Sequence, residues 1–196
     1  SMQEKHVTVA GKRYDLPAPF HVLAPQNPLE QEGTYPLPEA QLDRFMLKLN
    51  VGYPSRTEEL KIMQRFGKKQ TPQVNRVMEP RTILELRDLV EEIYIDPKIN
   101  DYIVNLVFAS REAKTLKKGI ERYIEYGASP RASIYLHKVC RCYAFLQGRA
   151  YVVPQDVKTL AADVLRHRII LTYEAEAEGL KTDDVIKKIL DQVEVP

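Results

Sequence analysis

Residues 38–51, PEAQLDRFMLKLNV, place a short polar helix, then one arginine, then an apolar run. An arginine at the entrance of a buried strand is costly unless its charge is satisfied or used. Two readings of Arg44 are open. It is a boundary charge that snorkels to water or pairs with Asp43, or the strand end holds its guanidinium over a surface where a phosphate arrives. The choice turns on what surrounds the apolar run.

The first 54 residues read as β-rich. HVTV (6–9) and KRYDL (12–16) flank Ala10-Gly11, a hairpin signal. FHVLA (20–24) reads as a short apolar strand and MLKLNV (46–51) as another, separated by a loop dense in Pro, Gly and Asn. Ser55-x-x-Glu58 is a capping box that opens a helix with Leu60, Met63 and Phe66 on one side. A hairpin, two strands and one helix cannot close a core, and open-edged strands normally have neighbours. Residues 1–66 therefore read as part of a larger sheet. Residues 67–81 show no periodicity and carry Lys68, Lys69 and Arg76, so they read as a solvated linker.

From Thr82 the period changes to that of a helix. Ile83, Leu86, Leu89, Val90 and Ile93 form one stripe. Ile99, Tyr102, Ile103, Leu106 and Val107 form a second, behind an Asp96-Pro97 start. Leu136, Val139, Cys140 and Tyr143 repeat the spacing, as do Val157, Leu160, Ala161, Val164 and Leu165. Val185, Ile186, Ile189, Leu190 and Val193 close the series behind a cap at Thr182. Such stripes bury against one another, so 82–196 is expected to be a helical bundle, with a small hairpin in 169–179 at its edge. The fold class expected is α+β: an incomplete sheet layer followed by an all-α domain.

Net charge is +2 with both signs interspersed, which gives no field for nucleic acid or membrane. The chain has no run of about 18 apolar residues and no charged-then-apolar leader, so neither a spanning helix nor an export signal is expected. Cys140 and Cys142, two apart on a helix, point about 200° from each other and cannot bridge; they read as thiols of a reducing cytoplasm. His6, His21, His137 and His167 lack ligand spacing, and no metal site is expected.

Three clusters stand in a telling order: LAPQNP with Gln26-Asn27, EQEGTYPLPEAQLDRF ending near Arg44, and YGASPRA with Arg131 in the first turn of a helix. Followed by GRAYVVPQDVK and VLRHRIILTYEAEAEG, they closely resemble the MoxR family of AAA+ ATPases, from about residue 3 to Pro196. The resemblance implies the C-terminal portion of such an ATPase: a partial AAA+ αβα core with its hairpin and two sheet strands, then a helical lid. The sequence holds no G-x-x-x-x-G-K-[ST], so the phosphate cradle and the magnesium ligand are expected upstream.

By position in the family, Asn27 matches sensor 1, Arg44 the arginine finger offered to a neighbour's nucleotide, and Arg131 sensor 2, the lid arginine. Pro25 stands where the family commonly has Thr, which leaves Asn27 in place. The cofactors implied are ATP and Mg2+ for the full-length protein, with none tightly bound by this region and no activity expected of it alone. The partners implied are further copies in a hexameric ring and proteins carrying von Willebrand factor A domains. The function implied is a chaperone-like ATPase that assembles or activates other proteins. A finger in trans suits phosphoryl transfer, where charge neutralisation supplies a factor of roughly 10³–10⁵. Two alternatives stand beside it. One is a DNA-acting hairpin-bearing motor, disfavoured because the hairpin tip offers only Lys12 and Arg13. The other is a non-catalytic helical interaction module.

Overall fold

The computed structural model describes residues 6–26, 37–67, 73–112 and 119–196. The hairpin forms as expected. β1 (His6–Val9) pairs antiparallel with β2 (Lys12–Asp15) in the register His6 to Asp15 through Val9 to Lys12. Both turn residues have positive φ, 50° at Ala10 and 78° at Gly11, the mirror-image turn whose twist suits a two-residue hairpin.

The two sheet strands differ from expectation. Neither 20–24 nor 46–51 enters a ladder among the described residues, and Leu23 is 83% exposed. A strand needs a partner for its main-chain groups, and the hairpin pairs only with itself. Residues 45–48 find other partners, described below. A short α1 (Glu39–Leu42) precedes them.

The Ser55–Glu58 capping box is present, with Glu58 accepting from the Ser55 amide at 2.8 Å, and it starts α2 (Arg56–Phe66). None of α2 is buried: Met63 and Phe66 stay open to solvent. The same holds for α3 (Pro80–Glu91), whose stripe expected in the core leaves Ile83 and Leu89 exposed. An apolar stripe is buried only where another element reaches it.

Every buried residue among those described lies between Ile93 and Ile189. α4 (Pro97–Arg111) starts at the Asp96 cap, whose carboxylate accepts from the Lys98 amide at 2.9 Å. It packs against α5 (Pro130–Leu146), α6 (Pro154–Leu165) and α8 (Thr182–Leu190). Tyr102, Leu106, Leu136, Val157, Val164 and Ile186 make the centre of that core. Each belongs to a stripe read from the helical period, so the lid bundle is as expected.

The edge hairpin in 169–179 does not form. β3 (Ile124–Tyr126) follows a 3-10 turn at Glu121–Tyr123 and pairs antiparallel with β4 (Ile170–Leu171). Thr172 then caps α7 (Tyr173–Ala177), accepting from the Ala175 amide. The side-chain cap turns the chain into a helix where a hairpin would need it to reverse.

Candidate functional site

The site is built where the end of α1 meets α5 and the turn after α6. The loop YGAS, residues 126–129, runs tight against the end of α4. A Cβ on Gly127 would sit 2.4 Å from the Ser110 carbonyl oxygen, so only glycine allows this approach. The Ser110 hydroxyl accepts from the Ala128 amide at 3.0 Å, and Arg111 Nε donates to the Ala128 carbonyl at 2.6 Å. The loop is thereby fixed. Ser129 caps α5, Pro130 takes its first position, and Arg131 follows in the first turn.

Arg131 and Tyr135, four residues apart, share a helix face, and that face meets residues 43–45. Asp43 is the centre of the contact. Its carboxylate accepts from Ser129 Oγ at 2.8 and 2.9 Å, from an Arg131 terminal nitrogen at 3.2 Å, and from Arg168 Nε at 3.0 Å. Burial by itself would raise the Asp43 carboxyl, but the Ser129 hydroxyl, Arg131 and Arg168 together outweigh it and hold it below its ordinary value.

Arg168 is wholly buried at its side chain. Its terminal nitrogens also donate to the carbonyls of Asp43 (2.9 Å), Phe45, Met46 (3.4 Å) and Val164. Its guanidinium lies 5.0 Å from the centre of the Tyr135 ring, and the Tyr135 hydroxyl donates to the Arg44 carbonyl at 3.3 Å. Its neighbours in sequence serve the same strip of backbone. His167 Nε2 bonds the Phe45 carbonyl at 3.0 Å, and Arg166 bonds the Lys48 carbonyl while gripping Asp163 and Asp183. The Lys48 amide donates to the Asp163 carbonyl at 2.9 Å. Side chains of 166–168 thus bond the carbonyls of Phe45, Met46 and Lys48, as a neighbouring strand would.

His167 is neutral in this setting. Burial, then the Arg168 charge, push it down to about 4. The bond to a carbonyl requires its proton on Nε2, and the buried Nδ1 has no hydrogen-bond partner among the described residues.

Arg44 is left pointing away from all this. Its side chain is exposed and, among the described residues, makes no ion pair or hydrogen bond, with Asp43 or any other group. The pairing of Arg44 with Asp43, part of one of the two readings left open, does not form: Asp43 serves Arg131 and Arg168. Arg44 and Arg131, expected as site residues from separate motifs, are brought together through Asp43. Asn27 lies outside the described residues. Asp43, Ser129, Tyr135 and the Arg166-His167-Arg168 run were not picked out as site residues. Their one sequence signal is that basic tripeptide directly after an apolar helix, where solvent-facing charge is the ordinary expectation.

Two guanidiniums, Arg131 and Arg168, hold the Asp43 carboxylate, and the exposed Arg44 beside it adds a cationic donor at the surface, which suits anionic oxygens. Among the described residues no group of His, Cys, Asp and Glu could hold a metal ion, and no helix is long and apolar enough to cross a membrane.

Comparison with known proteins matches residues 116–189 to the AAA lid domain, and residues 1–47 to the ATPase family associated with various cellular activities. Chaperone MoxR1 of Mycobacterium tuberculosis is 43% identical over 196 residues, covering all of this chain and 52% of the relative. YeaC of Bacillus subtilis, a protein of uncharacterised role, is 40% identical over 197 residues, covering all of this chain and 59% of its own length. A crystal structure of a Cytophaga hutchinsonii protein assigned as an ATPase superposes with a TM-score of 0.93 at 46% identity, covering 99% of this chain and 59% of that one. The chain thus spans between half and three fifths of the length of these relatives.

Proposed function

Because the chain belongs to the MoxR family of AAA+ ATPases and corresponds to its C-terminal region, we propose that it carries the trans and lid contacts of a ring-forming ATPase. In this reading ATP hydrolysis assembles or activates partner proteins, those with von Willebrand factor A domains among them. The boundaries proposed are a core part to residue 66, a linker over 67–81 and a lid over 82–196.

The observation that carries the reading is the contrast between two neighbouring residues. Asp43 is tied into the lid from three directions, while Arg44 beside it presents a charge with no partner among the described residues. A guanidinium on a fixed backbone, facing outward, is pre-organised for a ligand held by another subunit. Arg131, half exposed at the start of α5, would contact the phosphates held by its own subunit, and Asn27 would orient water. ATP supplies the phosphoryl group, and Mg2+ would be held by groups outside this region. The donors here fit the outer oxygens of a triphosphate and make no cradle for it, so this region alone is expected to neither bind ATP tightly nor hydrolyse it. The hairpin speaks against a DNA-tracking motor: Arg13 is paired with Asp15 at 2.9 Å and Lys12 sits over Tyr14.

The test uses whole-protein rings. Arg44→Ala should abolish most turnover while nucleotide still binds, and Arg131→Ala should weaken binding and rate together. Mixing Arg44→Ala subunits with subunits whose upstream Walker B acid is changed should restore activity at composite sites. The same mixture made with Arg131→Ala should not. Failure of the first rescue in rings shown to be mixed, or near-normal turnover of Arg44→Ala alone, would reduce Arg44 to a boundary charge.

A further inference from the structure

We infer that Tyr135 is a positioning residue for Arg44: from the lid of one subunit it aims the arginine that serves the neighbouring subunit's site. The inference rests on the finger role proposed above for Arg44.

The Arg44 side chain is exposed and makes no bond among the described residues, so it keeps its choice of rotamers. The fold therefore controls its guanidinium only through the direction of the Cα–Cβ bond. That direction is set by the two peptide planes that meet at the Arg44 Cα, because each plane is rigid and only φ and ψ join them. Both planes are held on both sides. In the plane before Arg44, the Asp43 carbonyl accepts from Arg168 at 2.9 Å, and the Arg44 amide donates to the Gln41 carbonyl at 3.2 Å. In the plane after it, the Arg44 carbonyl accepts from the Tyr135 hydroxyl at 3.3 Å, and the Phe45 amide donates to the Leu42 carbonyl at 3.0 Å.

These holds differ in what stands behind them. The amides lean on α1, which is four residues long and has none of them buried. So short a helix gives little support by itself. The carbonyls are held from the lid core. Arg168 has an inaccessible side chain, and Tyr135 projects from α5, which is seated through the buried Ala132, Leu136 and Val139. The Arg168 guanidinium lies 5.0 Å from the centre of the Tyr135 ring, so each donor restrains the other. Ser129 ties the Asp43 carboxylate to the same helix at 2.8 Å. The lid thus supplies the rigidity that α1 lacks. A catalytic group must sit within about 0.5 Å of its productive place, and a misplacement of about 1 Å can cost roughly a hundredfold in rate. Loss of the Tyr135 hydroxyl frees one end of the plane after Arg44, and the cost should fall on the neighbour's turnover.

The test uses whole-protein mixed rings in which Arg44→Ala subunits supply the cradle and subunits with a changed Walker B acid supply the finger. Tyr135→Phe keeps the ring beside Arg168 and removes only the hydroxyl. Placed in the finger-supplying subunits, it should lower the restored turnover about fivefold with nucleotide affinity unchanged. Placed in the cradle-supplying subunits, it should leave turnover as it was, because their own finger is already gone. A merely structural Tyr135 would lower turnover equally from either side, or lower only the melting temperature. Either result overturns the inference, as does a loss confined to the cradle-supplying side. A second readout covers rings that assemble poorly with the variant. Without nucleotide, Tyr135→Phe should speed hydrogen exchange of the Phe45 amide several-fold, and unchanged exchange there overturns the inference too. The two levels of failure are separable. If the parent mixture regains no activity, Arg44 is no finger and the role of Tyr135 falls with it. If the parent mixture is active and Tyr135→Phe acts alike from both sides, the role of Tyr135 falls alone.

Discussion

Arg168 meets Asp43 twice: its Nε donates to the carboxylate at 3.0 Å, and a terminal nitrogen donates to the main-chain carbonyl at 2.9 Å. One buried side chain therefore holds both the charge and the backbone of the residue before Arg44. Arg168→Met should destabilise the protein by about 3–5 kcal/mol, since carbonyls and a carboxylate lose their donor inside the protein. The loss should fall toward the lower figure because Ser129 and Arg131 still serve Asp43. Arg168→Lys should recover little, as an ammonium cannot span the same set of acceptors. Urea unfolding monitored by circular dichroism reads both.

Gly127→Ala should cost about 1–3 kcal/mol or more. The added methyl would meet the Ser110 oxygen and carbon and the Arg111 nitrogen, all main chain, so no side-chain rotation relieves it. Thermal melting should show the loss, and Ser110→Gly in the same chain should fail to restore it.

The GRAYVVPQD segment should prove structural. Arg149 grips the buried Asp156 carboxylate with two bonds, 2.9 and 2.6 Å, and the Val153 amide donates to it at 2.9 Å. Either Arg149→Ala or Asp156→Ala should lower the melting temperature by several degrees or more, since each strands the other's charge or the helix start. The double variant should lose much less than the sum, as expected for one shared interaction.

Two acid windows should separate. The folded His167 is pushed down to about 4 against an ordinary value of 6.5, so the unfolded chain binds its proton first. Its contribution is complete above pH 6.5, declines as pH falls toward 4, and then levels off, with a loss of at most about 3 kcal/mol. His167→Gln, which can still donate to the Phe45 carbonyl, should flatten stability across that window. The Asp43 carboxyl is held below 3.8, so its contribution is lost only at lower pH, as the folded group takes up its proton. Unfolding free energy from pH 7.5 to 3 distinguishes the two.

Much of the lid was legible in advance because a helix repeats its buried positions every three to four residues. Tyr102, Leu106, Leu136, Val157 and Ile186 are core residues in the structure for the reason that placed them in stripes. Caps at Ser55 and Asp96 were equally plain, since a cap is a contact within three residues of chain. Ile83 and Leu89 show the limit. They belong to a valid stripe, but whether a stripe is buried depends on what lies opposite.

The amino-acid sequence by itself determined the main bundle helices, the caps at Ser55 and Asp96, the hairpin turn and the order of motifs that marks the family, because each depends on residues near one another along the chain. The cap expected at Thr182 falls one residue earlier, at Lys181, and α7 stands where a hairpin was expected. Only the tertiary structure decided the rest. Asp43 lies 86 residues from Ser129, 88 from Arg131 and 125 from Arg168, and no local pattern encodes meetings at such separations. The same distance hid the fate of residues 46–51, read as a strand from their apolar character. Hydrophobicity says that a segment will be covered, whereas the identity of the groups that satisfy its main chain depends on where the fold brings them. Here they are the guanidiniums and the imidazole of 166–168, which dock the strip and leave Arg44 outward.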